Sequence, residues 1–338
     1  MTSLERLMEE NAALVALLNT IDTSPDTWSS IANRVALNGS AIRILEHDMD
    51  PAAHPLADDW RNGRSLESEP SLFDDDEIPP SEERRRQLST AWEIARRKVS
   101  SWKDAGLDFV SVLDERYPNR LRQIMDMPPF LFADGTLIQD EQGVSVVGSR
   151  KATPEAIGFA RDVASMLVSE KMTVIGGLAA GIDTAAHTQA LADGGRTVAF
   201  IGTGITRQYP RENEYLQRDI ARHGLVLSQF WPDQSATKFT FPIRNTSMSG
   251  YGVATVVVQA GEYSGTRIQA RQAQRHGRPV ILKDTVATGT EWGRKLTERP
   301  GVYVASSVHD VHEILREIIN LDMGLEEAIN RLIGEGEA

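Results

Sequence analysis

The sequence predicts an α/β fold in which a doubly wound, mostly parallel sheet follows a smaller helical N-terminal domain. From Val144 onward short apolar runs recur, and each is closed by a glycine or a polar turn and followed by a helical stretch. Continuous apolar runs indicate strands buried on both faces, and the alternation of strand and helix predicts a parallel sheet covered by helices. The connections are expected to be right-handed crossovers. We therefore expect an extended Rossmann-like sheet.

The N-terminal region, residues 1–105, is predicted to be helical, with a polar linker at about 47–82. Its apolar residues fall at helical spacing, as shown by Leu14, Leu17, Leu18 and Ile21. The linker carries prolines and many polar residues, which favour loops. An arginine-rich helix is expected from Glu82 to Trp102, ending at Gly106. We interpret its arginines as a solvated face.

The sheet domain is predicted at residues 106–320, followed by a C-terminal helix and acidic tail at 321–338. The apolar runs that predict its strands are VSVVGS, MTVIGGL, RTVAFIGTG, LVLSQF, VATVVVQAG and RPVILKD. Intervening helices are expected to begin near Pro154, Ile182, Glu212 and Gly265. Ligands of such sheets bind outside the carboxyl ends of the strands. The residues that follow each run are therefore the candidates for function.

Composition and charge restrict the classes of protein that need to be considered. The chain has no cysteine, which excludes disulfides, thiolate metal sites and cysteine nucleophiles. It has neither a signal-peptide pattern nor an apolar window long enough to span a membrane, so we expect a cytoplasmic protein. The net charge of −12 is uneven, with −8 in residues 1–105, −6 in residues 306–338 and +2 between them. The middle of the chain can therefore present a basic face.

Small, glycine-containing turns follow several of the predicted strands. They contain Gly148, Ser149, Gly176, Gly177, Gly181, Gly202, Gly204, Ser264, Gly265 and Thr266. Glycine lets backbone amides approach a ligand, and the helix that follows each turn offers unpaired N–H groups and a positive dipole end. One interpretation is a phosphate-binding edge. The other is that these glycines only permit tight turns between strand and helix.

The sequence contains no recognisable catalytic, metal or cofactor site. The P-loop motif is absent, and Arg207 stands where a dinucleotide fingerprint needs its last glycine. His187, His223 and His276 are isolated from one another, and we expect each at the surface. Asp183 could act as a base, although its position near a helix start favours a capping or dipole-pairing carboxylate. We expect a binding protein without cofactor or metal.

Eight motifs in register resemble the DNA-processing protein A (DprA/Smf) family, a branch of the SLOG group of Rossmann-like domains. The resemblance begins at YPNRLRQIMDMPPFLFADG and covers about residues 107–315. It continues through VVGSRKATP, GGLAAGIDTAAHTQAL, GGRTVAFIGTG, YPREN, FPIRNTSMSG, SGTRIQAR and GRPV. The family usually has basic residues where this chain has Ala180 and Thr246.

The resemblance implies a protein that binds single-stranded DNA and helps to load a RecA-like recombinase in natural transformation, DNA uptake or recombination. It assigns phosphate or DNA contacts to Arg150, to Arg244 and Asn245, to the turn Ser264–Thr266 and to Arg271. Helical spacing adds Arg267, which is expected on the same helix face as Arg271. Guanidinium groups bind phosphate oxygens through paired hydrogen bonds. We expect Arg150 and Arg244 on loop edges, where replacing them leaves the fold intact. A structural salt bridge is the alternative for Arg271.

A nucleotide-binding sensor or nucleotide hydrolase, for instance in phage defence, is the alternative function. Related phosphoribohydrolases carry a glutamate near the position of Gln269, and Glu262 is the carboxylate close enough to replace it. For DNA binding, nearby aromatic residues offer surfaces on which bases can stack, namely Tyr251, Tyr263, Phe230 and Trp231.

The end of the chain predicts helices with an apolar stripe. Between Val308 and Ile333 the stripe comprises Val311, Ile314, Leu315, Ile318, Ile319, Leu321, Leu325, Ile329 and Leu332. We expect the part from Val311 to Ile319 to pack on the sheet. The part after Gly324 needs another surface, either the N-terminal helices or a second subunit, and we expect a homodimer.

Overall fold

The computed structural model describes residues 2–20, 25–50, 54 and 82–321. It divides into two compact units. Unit 1 comprises Met1–Tyr117 with Asp126–Phe130, and unit 2 comprises Pro118–Met125 with Leu131–Ala338. Most of the expected linker at 47–82, together with Leu325, Ile329 and Leu332 of the apolar stripe, lies outside the described residues.

Unit 1 contains four helices and a short strand among its described residues. These are α1 (Ser3–Asn19), α2 (Pro25–Asn38), α3 (Ala41–Met49), α4 (Glu82–Asp104) and β1 (Asp108–Ser111). A capping box formed by Thr2 and Glu5 begins α1. The buried carboxylate of Glu10 on α1 accepts hydrogen bonds from the Ala41 and Ile42 amides at 2.7 and 3.1 Å, which fixes the start of α3.

The sheet of unit 2 has the strand order β2-β6-β5-β4-β3-β7-β8-β9 over its described part. The strands are β2 (Phe130–Gly135), β3 (Gly143–Gly148), β4 (Thr173–Gly176), β5 (Thr197–Phe200), β6 (Leu225–Ser228), β7 (Ala254–Gln259), β8 (Val280–Lys283) and β9 (Val302–Ala305). β2 runs antiparallel to β6, with Phe132 opposite Ser228, and the other pairings in this order are parallel. The prediction of a mostly parallel sheet is confirmed.

The helices of unit 2 cover both faces of this sheet. They are α5 (Asn119–Arg122), α6 (Pro154–Ser169), α7 (Ile182–Ala192), α8 (Glu214–His223), α9 (Thr240–Tyr251), α10 (Gly265–Arg275), α11 (Asp284–Gly289), α12 (Glu291–Thr297) and α13 (308–321). α6 packs on α7, and α10 packs on α9. Right-handed crossovers place α6 to α8 on one face and α9 and α10 on the other, because the strand order proceeds in opposite directions after β3 and β7.

One hydrophobic core joins the sheet to α6, α7 and α13. It includes Val146 and Val256 from neighbouring strands, Val163 from α6, and Val311, Leu315 and Ile318 from α13. Ile314 and Ile319 pack against it, as expected for this part of the apolar stripe. No described helix combines the length and apolar character that crossing a bilayer requires.

The topology also locates the place where a ligand can bind. The chain builds β4, β5 and β6 on one side of β3, and then crosses over to build β7, β8 and β9 on the other side. The strand order therefore reverses between β3 and β7. In open α/β sheets the crevice outside the carboxyl ends of the strands at such a reversal is the usual ligand site.

Candidate functional site

A cavity of about 710 Å³ lies at the carboxyl ends of β3 and β7. Its wall is formed by the turn after β3, the start of α9, the loop after β7 and the first turn of α10. Of the residues that the sequence assigned to phosphate or DNA, the cavity is lined by Gly148, Ser149, Arg150, Arg244, Asn245, Ser264, Gly265 and Thr266. Segments distant in sequence are thus brought to one site.

Arg150 is the exposed cation at the cavity's edge. Its guanidinium carbon lies 5.2 Å from the centre of the Phe241 ring, which is a cation–π contact. Among the residues that the structure describes, Arg150 forms no ion pair or hydrogen bond through its side chain. Its N–H groups are therefore available to an anion. Lys238, a residue that the sequence analysis did not single out, is a second exposed cation in the lining.

Arg244 is placed differently, and the expectation of a loop-edge arginine is wrong. It lies inside α9 and is 5% exposed. Its Nη1 donates to the carbonyl oxygen of Phe200 at 2.6 Å and also to that of Gly177. Burial and the charge of Arg150 lower the pKa of Arg244 to about 10, against the opposing effect of Asp183, so it remains charged at neutral pH. Arg244 borders the cavity while holding the ends of two strands together.

Asp183 on α7 is the buried countercharge of Arg244. Its Oδ2 accepts a hydrogen bond from the Gly177 amide at 2.9 Å. Burial raises the pKa of this carboxyl, while Arg244 and the backbone amides of Gly177 and Ala179 oppose the increase. Asp183 is also part of the cavity's lining. Its partners favour the interpretation as a structural carboxylate over that as a catalytic base.

His187, which we expected at the surface, is fully buried, and that expectation is wrong. Its Nδ1 lies 2.6 Å from Thr197 Oγ1, which itself donates to the Val174 carbonyl at 2.7 Å. The one hydroxyl proton of Thr197 is thus used, so Nδ1 of the imidazole carries a proton. Burial and the charge of Arg244 lower the pKa of His187 to about 3, against a smaller opposing effect of the Gly176 backbone.

The five glycines at 176, 177, 181, 202 and 204 do not line the cavity. A Cβ atom at any of them would meet the protein's own atoms. At Gly177 it would lie 1.8 Å from Arg244 Nη1, so glycine is required for the close approach of that guanidinium. By contrast, a Cβ at Gly265 meets no atom within 4 Å, because this residue borders open space. Gly265 therefore lines the cavity, whereas the other five glycines are needed because the chain packs closely around them.

The amino terminus of α10 provides the uncharged donors of the site. Ser264 caps this helix by accepting the Thr266 amide at 3.1 Å, and Gly265 and Thr266 face the cavity. The helix dipole favours an anion here. Gln269, one turn further on, is buried in the lining, and its Nε2 has no hydrogen-bond partner in the described structure. Asn245, half-buried, adds a second side-chain amide.

Two of the arginines that the sequence analysis assigned to phosphate or DNA are not part of this cavity's lining. Arg267 Nη1 donates to the Glu262 carbonyl oxygen at 3.4 Å. Arg271 is exposed and lines a separate cavity between α10 and α12. The salt bridge considered for Arg271 is not found among the described residues.

The aromatic residues at the cavity are mostly not those that the sequence suggested. Tyr251 and Phe230 are buried, at 1% and 4% exposed, and cannot stack on a base. Tyr263 is 94% exposed at the cavity's edge. Phe241, which the sequence analysis did not single out, lies between Arg150 and Tyr209, and its ring centre is 5.5 Å from that of Tyr209. The segment KFTFPIRN, which leads into α9, contains both Lys238 and Phe241 and could have indicated them.

Outside this cavity, one described group has the side chains for a metal ion, namely His309, His312 and Glu313 on α13. His312 Nε2 already lies 2.9 Å from Oε1 of Glu170, the residue that follows α6. This contact connects α13 to the end of α6, which explains the position of His312 without a metal ion.

Comparison with known proteins places residues 108–317 in the family described as DNA recombination-mediator protein A. The DNA processing protein DprA of Streptococcus pneumoniae is 37% identical over 203 residues, which are 60% of this chain and 72% of that protein. DprA of Bacillus subtilis is 33% identical over 187 residues, covering 55% of this chain and 63% of that protein. The chain thus spans about two thirds of the length of these relatives.

Solved structures show the same fold. The crystal structure of S. pneumoniae DprA has a TM-score of 0.60 at 33% identity and covers 68% of this chain and 81% of that one. A structure of DNA processing protein A from Helicobacter pylori, studied for its single-stranded DNA binding mode, has a TM-score of 0.56 at 22% identity and covers 62% and 96%. The family model matches well over half of the present sequence. The chain therefore belongs to the DNA recombination-mediator protein A family.

Proposed function

We propose that unit 2 binds single-stranded DNA in the cavity at the carboxyl ends of β3 and β7, and that the protein acts as a recombination mediator in the cytoplasm. The observation that carries the proposal is the exposed guanidinium of Arg150, which has no ion-pair or hydrogen-bond partner in the described part of the chain and lines the same cavity as the amino terminus of α10. A phosphate between them would receive charge-assisted hydrogen bonds from both. Lys238 would add a further positive charge.

A single strand fits this site better than a duplex does. Tyr263 presents an almost fully exposed ring at the cavity's edge. Aromatic rings of this kind stack on bases that are not paired, and such stacking tolerates every base. We therefore expect binding with little dependence on sequence.

The site favours binding without turnover. Gln269 is buried in the lining where related hydrolases carry a glutamate, and an amide cannot act as a general base. Glu262 lines the cavity, but its Oε2 accepts a hydrogen bond from the Glu291 amide at 2.8 Å, which restricts its carboxylate. Asp183 is buried, and its carboxylate accepts the Gly177 amide and is stabilised by the charge of Arg244. We propose, by extension from the family, a homodimer that transfers the strand to a RecA-like recombinase.

The direct test is a titration with fluorescent oligo-dT, duplex DNA of the same length, AMP and ATP side by side, at several salt concentrations. We expect the tightest binding for oligo-dT, with log affinity decreasing linearly with log salt concentration. Equal affinity for duplex, or binding of a free nucleotide in preference to the strand, contradicts the proposal. Release of free base or phosphate on prolonged incubation would instead support the hydrolase.

A further inference from the structure

A second cavity in unit 2, between α10 and α12, is lined by positive charge. Its volume is about 370 Å³, and Arg271, Arg275, Lys295 and Arg299 contribute to its wall. No carboxylate is found among the described residues that line it. Four cations around one concave surface generate a positive potential that a single exposed lysine or arginine does not.

Most of this positive charge is not neutralised within the described chain. Arg271 and Arg299 are exposed and form no ion pair with a described residue. Arg275 Nη1 donates to the uncharged amide oxygen of Gln272 at 2.8 Å. Lys295 is the exception, because its Nζ lies 2.6 Å from Glu291 Oε1, with Glu262 and Glu298 also near enough to act on it. Three guanidinium groups thus remain available to an anion.

The two cavities of unit 2 share a wall. Trp292 lines the basic cavity, and its indole Nε1 donates to the carbonyl oxygen of Gly261, which lines the first cavity, at 3.2 Å. The hydrogen bond from the Glu291 amide to Glu262 holds the same loop against the start of α12. The helix α10 begins at the first cavity with Gly265 and reaches the second with Arg271. The two cavities are therefore neighbours along α10.

The spacing along α10 suits a polymer of phosphates. Arg271 is six positions after Gly265, which at ~1.5 Å per residue is ~9 Å along the helix axis. A stacked strand advances ~3.4 Å per nucleotide, so this interval corresponds to about three nucleotides. Planar guanidinium groups are suited to binding phosphate oxygens through two hydrogen bonds.

We propose that the cavity between α10 and α12 binds backbone phosphates of the same single strand, about three nucleotides from the phosphate held by Arg150. This inference rests on the proposed function of the first cavity. The complete binding site is then longer than the cavity at β3 and β7. Strands that reach both cavities therefore bind more tightly than strands that fill only one.

The test compares dT3 with dT15 on the full chain and on the double variant Arg271→Gln/Arg299→Gln. The control variant, Arg161→Gln/Arg222→Gln, removes two exposed arginines from α6 and α8 on the other face of the sheet. We expect the first variant to bind dT15 about tenfold more weakly at low salt, with a salt slope smaller by ~1.4, and to bind dT3 like the unchanged protein. The control variant should leave both affinities unchanged. A thermal melt confirms that each variant is folded.

Equal weakening of dT15 binding by both variants, or none by the first, overturns the proposal. Two further titrations, with inorganic phosphate and with a poly-glutamate peptide, test whether the cavity binds another anion. If inorganic phosphate or a poly-glutamate peptide loses binding in the first variant while dT15 does not, the cavity serves that anion and the strand proposal is overturned. If the unchanged protein binds neither oligonucleotide, the proposed function itself fails, which is a different outcome from loss of the length dependence.

Discussion

Arg150 and Arg244 border the same cavity and have opposite roles in it. The side chain of Arg150 is exposed, lies over the Phe241 ring and forms no hydrogen bond or ion pair with a described residue. Arg244 is buried, donates to two carbonyl oxygens and lowers the pKa of Asp183 through its charge. The sequence alone gives both the same interpretation, as phosphate-binding arginines. The comparison teaches that the proposed site has an exposed layer, available to a ligand, and a buried layer that holds the strand ends in place. Each layer responds to mutation in its own way.

The largest effect is expected from Arg244→Ala. Removing this buried guanidinium costs about 3–5 kcal/mol, because the carbonyl oxygens of Gly177 and Phe200 lose a charged donor and Asp183 loses the positive charge that stabilises its carboxylate. We expect the free energy of unfolding to decrease by this amount in urea denaturation. The exposed Arg161→Ala is the control, with a change within about 0.5 kcal/mol. If Arg244→Ala were as stable as the control, the buried layer would not exist as described.

Arg150→Ala should act on binding and leave stability unchanged. We expect oligo-dT affinity to decrease by about 1–3 kcal/mol, which is roughly 5- to 150-fold, because a charge-assisted contact to phosphate is lost. The unfolding free energy should stay within about 0.5 kcal/mol of the unchanged protein. A stable variant with undiminished affinity would remove Arg150 from the exposed layer.

The buried layer should also respond to pH through His187. The pKa of His187 is lowered to about 3 in the folded protein, against an ordinary value of 6.5, so the unfolded state binds the proton first as pH decreases. The contribution of His187 to the free energy of unfolding is therefore fully present above pH 6.5. It is lost progressively below that pH, by about 2 kcal/mol between pH 7 and pH 5. Denaturation at a series of pH values measures this loss. The variant His187→Gln should lose less stability over that interval than the unchanged protein, while His223→Gln, at an exposed site, should not differ from it.

The smallest effect is expected from Tyr263→Ala. Its ring is almost fully exposed and has no packing to lose, so stability should not change. Loss of stacking should weaken oligo-dT binding by about 1 kcal/mol, the lower end of the range for one base. Tyr215→Ala, which removes another exposed ring from α8, is the control and should bind normally. Equal effects of the two variants would indicate that Tyr263 has no specific contact with the strand.

The sequence predicted the doubly wound sheet and the segments that meet at its edge, because buried strands and helix starts leave strong local patterns. It did not predict burial within those segments. The sequence prediction puts Arg244 on a loop edge, whereas it lies buried inside α9. The polar run RNTSMSG has no apolar stripe, so no local pattern marks this helix or its buried face. His187 was misplaced for the same reason, because only tertiary packing against Gly176 and Thr197 makes it an interior residue.

The glycines show the same limit of local patterns. Gly177 and Gly265 both stand in small turns after a strand, and nothing in the sequence separates them. In the structure one makes room for the guanidinium of Arg244, and the other borders the open cavity. The difference depends on a side chain contributed by α9, far away in the sequence. Local composition can therefore locate the edge of the sheet where a ligand binds, and cannot assign its residues to the two layers.

The most direct test of the central claim is the salt dependence of oligo-dT binding by the double variant Arg150→Gln/Lys238→Gln. If both cations contact phosphates, the slope of log affinity against log salt concentration should be smaller than that of the unchanged protein by ~1.4, or ~0.7 for each lost contact. The unfolding free energy should remain within about 0.5 kcal/mol. A slope equal to that of the unchanged protein, in a variant that is equally stable, would contradict the claim that this cavity's exposed cations bind the strand.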